Sequence, residues 1–158
     1  MKNNVRFMLD DLDRRILRHY QSDPMMSMAD LATRAATTPA VASRRLAKLR
    51  ADGVIIAHEA VIDWHALGYE VEVSLRITLD KTQSRAFDDF IAAARLVRDV
   101  IEIQTFLGRV DVRLSVIARD MAHYQKIYRN EILTLPHIAE IEALMHVSRI
   151  KFAESLPI

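Results

Sequence analysis

Residues 31–51 read LATRAATTPAVASRRLAKLRA, with Asp30 before them and Asp52-Gly53 after them. The stretch holds five Lys or Arg and no Asp or Glu. Four of the cations, Arg44, Arg45, Lys48 and Arg50, fall within seven residues. Apolar residues interleave with them at helical spacing, so the run is an amphipathic element rather than a basic tail. Thr38 suits an N-cap, Pro39 the first helical position and Gly53 the stop. Ala42, Leu46 and Leu49 then share the core side. Ala40, Arg44, Ala47 and Lys48 face away, with Val41 and Arg45 at one edge. Small residues admit close approach to base edges, and cations meet phosphate or guanine, as in a helix that enters a DNA groove.

Working outward, Leu9, Leu12, Ile16, Leu17 and Tyr20 mark one face of a first helix, with Asp10, Asp11 and Asp13 in its opening turn. Acids there match the positive end of the helix dipole. Asp23-Pro24 breaks this helix. Ser27 starts a second one, with Asp30 as a capping-box partner. Ala36-Thr37-Thr38 is the turn into the third. Val54-Ile55-Ile56 and Ala60-Val61-Ile62 flank Ala57-His58-Glu59 as two short strands of a wing. Three helices and a β-hairpin make a winged helix-turn-helix over residues 1–62, with 63–69 as linker.

Residues 70–158 read differently. Val71, Val73, Leu75, Ile77 and Leu79 alternate with Glu70, Glu72, Ser74, Arg76 and Thr78, which is a period-two strand. A helix around Phe87, Phe90, Ile91 and Ala94 follows. Strands over 100–107 and 110–118 are joined by Gly108-Arg109, a two-residue hairpin signal. A helix over 121–135 stops at Pro136, and a last strand runs through 138–147. The order β-α-β-β-α-β is ferredoxin-like, so the class is α+β. Several strands are apolar on both faces (Val100 and Phe106 against Ile101 and Ile103). Two helices cover one face only, so the other is expected to meet a second copy.

Composition excludes much else. The chain has no cysteine, which removes disulfides, thiolate metal sites and a Cys nucleophile. Its three glycines, Gly53, Gly68 and Gly108, cannot write GxGxxG or a P-loop, so no nucleotide cofactor is expected. The six histidines lack metal-ligand spacing, and no nucleophile elbow occurs. No apolar run approaches the ~20 residues of a membrane span. The N-terminus is too charged for a signal peptide, and cytoplasm is the expected compartment. Residues 1–60 carry 10 Lys/Arg against 7 Asp/Glu, and residues 61–158 carry 12 against 14. Any phosphate binding therefore belongs to the first part.

LDDLDRRIL and MADLATRAATTPAVASRRLAKLRADGVI resemble the helix-turn-helix of the Lrp/AsnC family. FLGRVDVRLSV, DMAHYQKIY and LMHVSRIKFAESLPI resemble its regulatory domain. The resemblance runs from about Leu9 to Ile158. It implies a transcriptional regulator that binds double-stranded DNA and forms dimers through the ferredoxin-like domain. It also implies assembly of four dimers into an octamer in some members, and an amino-acid effector between regulatory domains. Two positions depart from the family's pattern. The turn before the third helix is usually Gly-Leu-Ser, and here it is Ala36-Thr37-Thr38; Ala36 suits that turn only without positive φ. The effector loop often reads Gly-Asp-x-Asp, and here it is Gly108-Arg109-Val110-Asp111.

The expected DNA contacts are Thr38, Ala40, Val41, Ser43, Arg44, Arg45, Lys48 and Arg50. Arg44 is the choice for a base and Lys48 and Arg50 for phosphate. The expected effector contacts are Thr105, Gly108, Arg109 and Asp111, with Arg109 and Asp111 suited to the carboxylate and ammonium of a free amino acid. Two other readings compete: an effector-independent architectural DNA binder, and an enzyme on the ferredoxin-like fold, for which no site can be assembled.

Overall fold

The computed structural model describes residues 8–148, 150 and 155–158. The chain divides into two compact units, residues 1–61 with 151–158, and residues 62–150.

In the first unit, α1 (Asp11–Ser22), α2 (Met28–Arg34) and α3 (Pro39–Ala51) enclose one core. Ile16, Leu17, Tyr20, Leu31, Ala35, Leu46 and Leu49 fill it. Each helix begins on a side-chain cap. Asp10 and Asp13 form a reciprocal capping box on α1, with Asp13 N–H donating to Asp10 at 2.8 Å and Asp10 N–H to Asp13 at 3.3 Å. The Asp-x-x-Asp spacing was its signal in the sequence. Ser27 caps α2, and its hydroxyl donates to the Asp30 carboxylate at 2.6 Å. The Asp30 backbone N–H donates to the Ser27 hydroxyl at 3.1 Å, so both bonds of this cap run through the Ser27 side chain.

Thr38 accepts from Val41 N–H at 3.4 Å, with Pro39 beside it in the first turn of α3. Gly53, at φ 72, ends α3. The N–H groups of Gly53 and Val54 return to the carbonyls of Arg50 and Leu49, the paired bonds of a Schellman stop. Ala36 adopts φ 51, so the α2–α3 turn does use the left-handed region, at a residue whose Cβ resists it.

The expected wing strands over 54–56 and 60–62 are not formed; the segment carries no ladder pairing. Val54 and Ile55 pack on the helical core, while Ile56 is 91% and Val61 76% exposed. With Ile56 and Val61 in solvent, an isolated pair of three-residue strands is too short to hold itself.

In the second unit a four-stranded antiparallel sheet has the order β2-β3-β1-β4. Its strands are β1 (Val71–Leu79), β2 (Val100–Thr105), β3 (Val112–Ala118) and β4 (Ile138–Met145). Helices α4 (Ala86–Ala94) and α5 (Met121–Ile127) complete the β-α-β-β-α-β order. Val73, Leu75, Ile77, Val112, Leu114 and Val116 pack with Phe90, Ile127 and Ile132. The expected long helix over 121–135 gives way at Tyr128 to a wider turn, in which Leu133 N–H reaches Tyr128 C=O at 2.9 Å. On α4, Phe90 and Ala94 are buried while Phe87 is exposed.

The second sheet face is mostly polar, contrary to the sequence expectation. The register sets Arg76 against Glu142, Glu102 against Ser115 and Gln104 against Arg113. Arg113 pairs with Glu102 at 2.7 Å and Arg76 with Glu142 at 3.5 Å. An irregularity between Val100 and Glu102 shifts the alternation that the apolar reading assumed. Among the described residues, no helix is long and apolar enough to cross a membrane.

Candidate nucleic-acid interface and effector loop

Helix α3 sorts its cations by angle. Ala42, Leu46 and Leu49 are buried, and Ala40, Ser43, Arg44, Ala47, Lys48 and Arg50 are exposed. Val41 and Arg45 are half-buried. Thr38 is exposed at the helix start. Arg44 forms no ion pair or hydrogen bond among the described residues, so its guanidinium projects from the middle of the open face.

Arg45 is held instead. Its Nη1 donates to Asp10 at 2.7 Å and to Asp13 at 3.2 Å, tying α3 to the capping box of α1. The Asp13 backbone N–H lowers the Asp10 carboxyl below its ordinary value; burial opposes this and Arg45 adds to it. The Asp10 hydrogen bond raises the Arg45 guanidinium in turn. Arg50 is also engaged, donating from Nη2 to the Tyr20 hydroxyl at 2.8 Å. The sequence showed which residues are cationic, but not that two of them have partners at α1, because those partners are 30 to 35 positions away.

The loop between β2 and β3 is wider than two residues. Its closing bond runs from Phe106 N–H to Asp111 C=O at 2.9 Å, leaving residues 107–110 inside. Asp111 is 7% exposed. One carboxylate oxygen accepts from Leu79 N–H at 2.9 Å, and the other pairs with Lys81 Nζ at 2.7 Å. Burial pushes this carboxyl up, but the Lys81 hydrogen bond and the Leu79 N–H outweigh it and leave the group below its ordinary value.

Arg109 stands the other way. Its side chain is 86% exposed and lies 3.7 Å from Glu140. It lines a cleft of about 470 Å³ with Arg76, Thr78, Val110, Glu140, Ile141 and Glu142. Asp111 lines a separate cleft of about 240 Å³ with Lys81, Gln83, Ser84 and Phe87. The structure therefore does not bring Arg109 and Asp111 to the two ends of one small ligand. Thr105 and Gly108 line neither cleft. Arg76, Thr78, Glu140 and Glu142, which the sequence reading did not select, accompany Arg109. Their signal was the strand register, which is not legible without knowing that β4 lies beside β1.

Comparison with known proteins fits both units. Residues 9–56 match the family model described as winged helix-turn-helix DNA-binding, and residues 72–156 that described as Lrp/AsnC ligand binding domain. The chain is 26% identical over 151 residues to the DNA-binding transcriptional activator DecR of Escherichia coli strain K12, covering 96% of this chain and 99% of that protein. It is 27% identical over 150 residues to the leucine-responsive regulatory protein of Salmonella typhimurium, covering 95% and 92%. Its fold matches an AsnC family transcriptional regulator from Agrobacterium tumefaciens with a TM-score of 0.84 at 29% identity, over 94% of this chain and 97% of that one. It also matches a transcriptional regulator from Neisseria meningitidis solved as a complex with L-Met, with a TM-score of 0.87 at 23% identity, over 95% and 97%.

Proposed function

Because the chain belongs to the Lrp/AsnC family of DNA-binding transcriptional regulators with a ligand-binding domain, we propose that it reads a specific operator with the open face of α3 and adjusts that binding to a small amino-acid effector. Its relatives regulate transcription rather than catalyse a reaction. The observation that carries the reading is the sorting of α3. Small residues and two exposed cations, Arg44 and Lys48, share one face, while Arg45 is tied to α1. Arg44 takes the base-reading role, since guanidinium meets guanine in bidentate fashion. Lys48 and the Thr38 end of the helix take phosphate. Ala40, Val41 and Ser43 line the approach, and Arg50 offers its remaining N–H groups to the backbone of the duplex.

The effector reading rests on the cleft beside Arg109. Its volume suits a small ligand. Arg76 and Arg109 suit a carboxylate, and Glu140 and Glu142 suit an ammonium. Asp111 shapes the loop from behind. The Neisseria protein was crystallised with L-Met, which supports an amino acid as the ligand class. A dimer of the second unit would place two copies of α3 on successive major grooves, about 34 Å apart, on a roughly palindromic site. Whether four such dimers assemble further is read by light scattering.

Selection of bound duplexes from a random pool, followed by calorimetry with the twenty amino acids, tests the reading. The expected results are a two-fold symmetric operator and one or a few ligands that change its affinity, as coupling between sites requires. Binding that ignores sequence and every amino acid would contradict it and favour an architectural protein.

A further inference from the structure

Tyr20 sits in α1 at 5% exposure, yet its hydroxyl joins three elements. Arg50, in the last turn of α3, donates from Nη2 to this oxygen at 2.8 Å and lies 5.8 Å from the ring centroid. His58, in the unpaired segment after α3, meets the same oxygen with Nε2 at 2.6 Å. The two rings lie 5.3 Å apart. Beyond Ile55, His58 makes the side-chain bond that ties residues 56–61 to the helices, among the described residues. Ile56 and Val61 around it point to solvent.

A phenol oxygen has one proton and two lone pairs, and arginine only donates. Arg50 therefore takes one lone pair, and His58 Nε2 is the hydroxyl's second partner. Arg50 spends one of five N–H donors on Tyr20 and keeps the others for an anion.

We infer that Tyr20 is a positioning residue for DNA binding: its hydroxyl on α1 holds both the wing segment, through His58, and the Arg50 guanidinium of the recognition helix in place before the duplex arrives. This rests on the proposed DNA-reading face of α3. A segment with no strand pairing and one polar tie would otherwise be ordered at the moment of binding. Ordering it beforehand removes that cost from the affinity.

The test is fluorescence anisotropy on a duplex selected from a random pool, with the full chain. Tyr20→Phe deletes the hydroxyl and keeps the buried ring. Binding is expected to weaken about tenfold, the scale of freeing one or two long side chains. His58→Ala, at an exposed position, is expected to lose a similar amount, and this variant carries the test if Tyr20→Phe folds poorly. The double variant is expected to lose little more than either alone, since both remove one tie. Nitrogen NMR supplies a readout that simple packing would not move: the His58 Nε2 resonance is expected to shift in Tyr20→Phe, which removes its hydrogen-bond partner, and to stay in place if the bond is absent. Undiminished binding by Tyr20→Phe and His58→Ala, while Arg44→Ala loses binding, overturns this inference alone. Failure of the parent chain to bind any duplex overturns the DNA reading and this inference with it.

Discussion

Helix α3 and the β2–β3 loop each place charged residues within a few positions of one another, and the fold resolves them by different rules. On α3, Arg44 and Arg45 are adjacent, so they leave the axis about 100° apart. Arg44 meets solvent and Arg45 meets Asp10 and Asp13. In the loop, Arg109 and Asp111 are two apart, yet they line different clefts. A helix converts spacing into direction, and the core stripe then says which direction is open. A loop does not. Its side chains go where the backbone hydrogen bonds leave them, and Asp111 is claimed by Leu79 N–H and Lys81.

The sharpest way to break this contrast is to separate the adjacent arginines. Arg44→Ala is expected to weaken operator binding by about ten- to a hundredfold, the worth of one bidentate base contact. Its melting temperature should stay near the parent value. Equal affinity loss in Arg44→Ala and Arg45→Ala would mean that the helix face is not sorted as described.

The loop offers the matching experiment. Asp111→Ala leaves Leu79 N–H and Lys81 without their acceptor and is expected to destabilise the second unit by about 1–3 kcal/mol in urea unfolding. Arg109→Ala is expected to change stability by less than about 0.5 kcal/mol while removing the effector response. Acid adds a sign. The Asp111 carboxyl is held below its ordinary value, so its contribution is complete above the unfolded value near ~3.9 and is lost as pH falls through the lower folded value. Asp111→Asn should therefore flatten the loss of stability below about pH 4. An unchanged acid profile would remove Asp111 from this role.

Much of the first unit was legible because caps and stops are local chemistry. Thr38, Pro39 and Gly53 bounded α3 within the sequence itself, and the apolar stripe named its core. What was not legible depended on distant partners. Arg45 finds Asp10 and Asp13, and Arg50 finds Tyr20, only once α1 and α3 cross. The wing strands failed for another reason: Ile56 and Val61 have strand propensity but no face to bury, and propensity alone does not order two short strands. In the second unit the alternation in β1 and the element order gave the sheet. The bulge in β2 and the pairing of Arg76 with Glu142 depend on register, which periodicity does not fix.

Two smaller effects sharpen the picture of the helical unit. Arg45→Ala is expected to lower the melting temperature only slightly, because the pair with Asp10 is solvated. Ala36→Gly is expected to stabilise by about 0.5–1 kcal/mol, since a residue at φ 51 pays for its Cβ. A rise in melting temperature for Ala36→Gly with unaltered DNA affinity would show that this turn departs from glycine at a cost in stability alone.

The most direct measurement is the salt dependence of operator binding for the parent chain, Lys48→Ala and Arg45→Ala. Each phosphate contact contributes about 0.9 to the slope of log K against log salt. The slope is predicted to fall in magnitude by about 0.9 in Lys48→Ala and to stay at the parent value in Arg45→Ala. An unchanged slope in Lys48→Ala, or the larger fall in Arg45→Ala, would contradict the assignment of the open face of α3 to DNA.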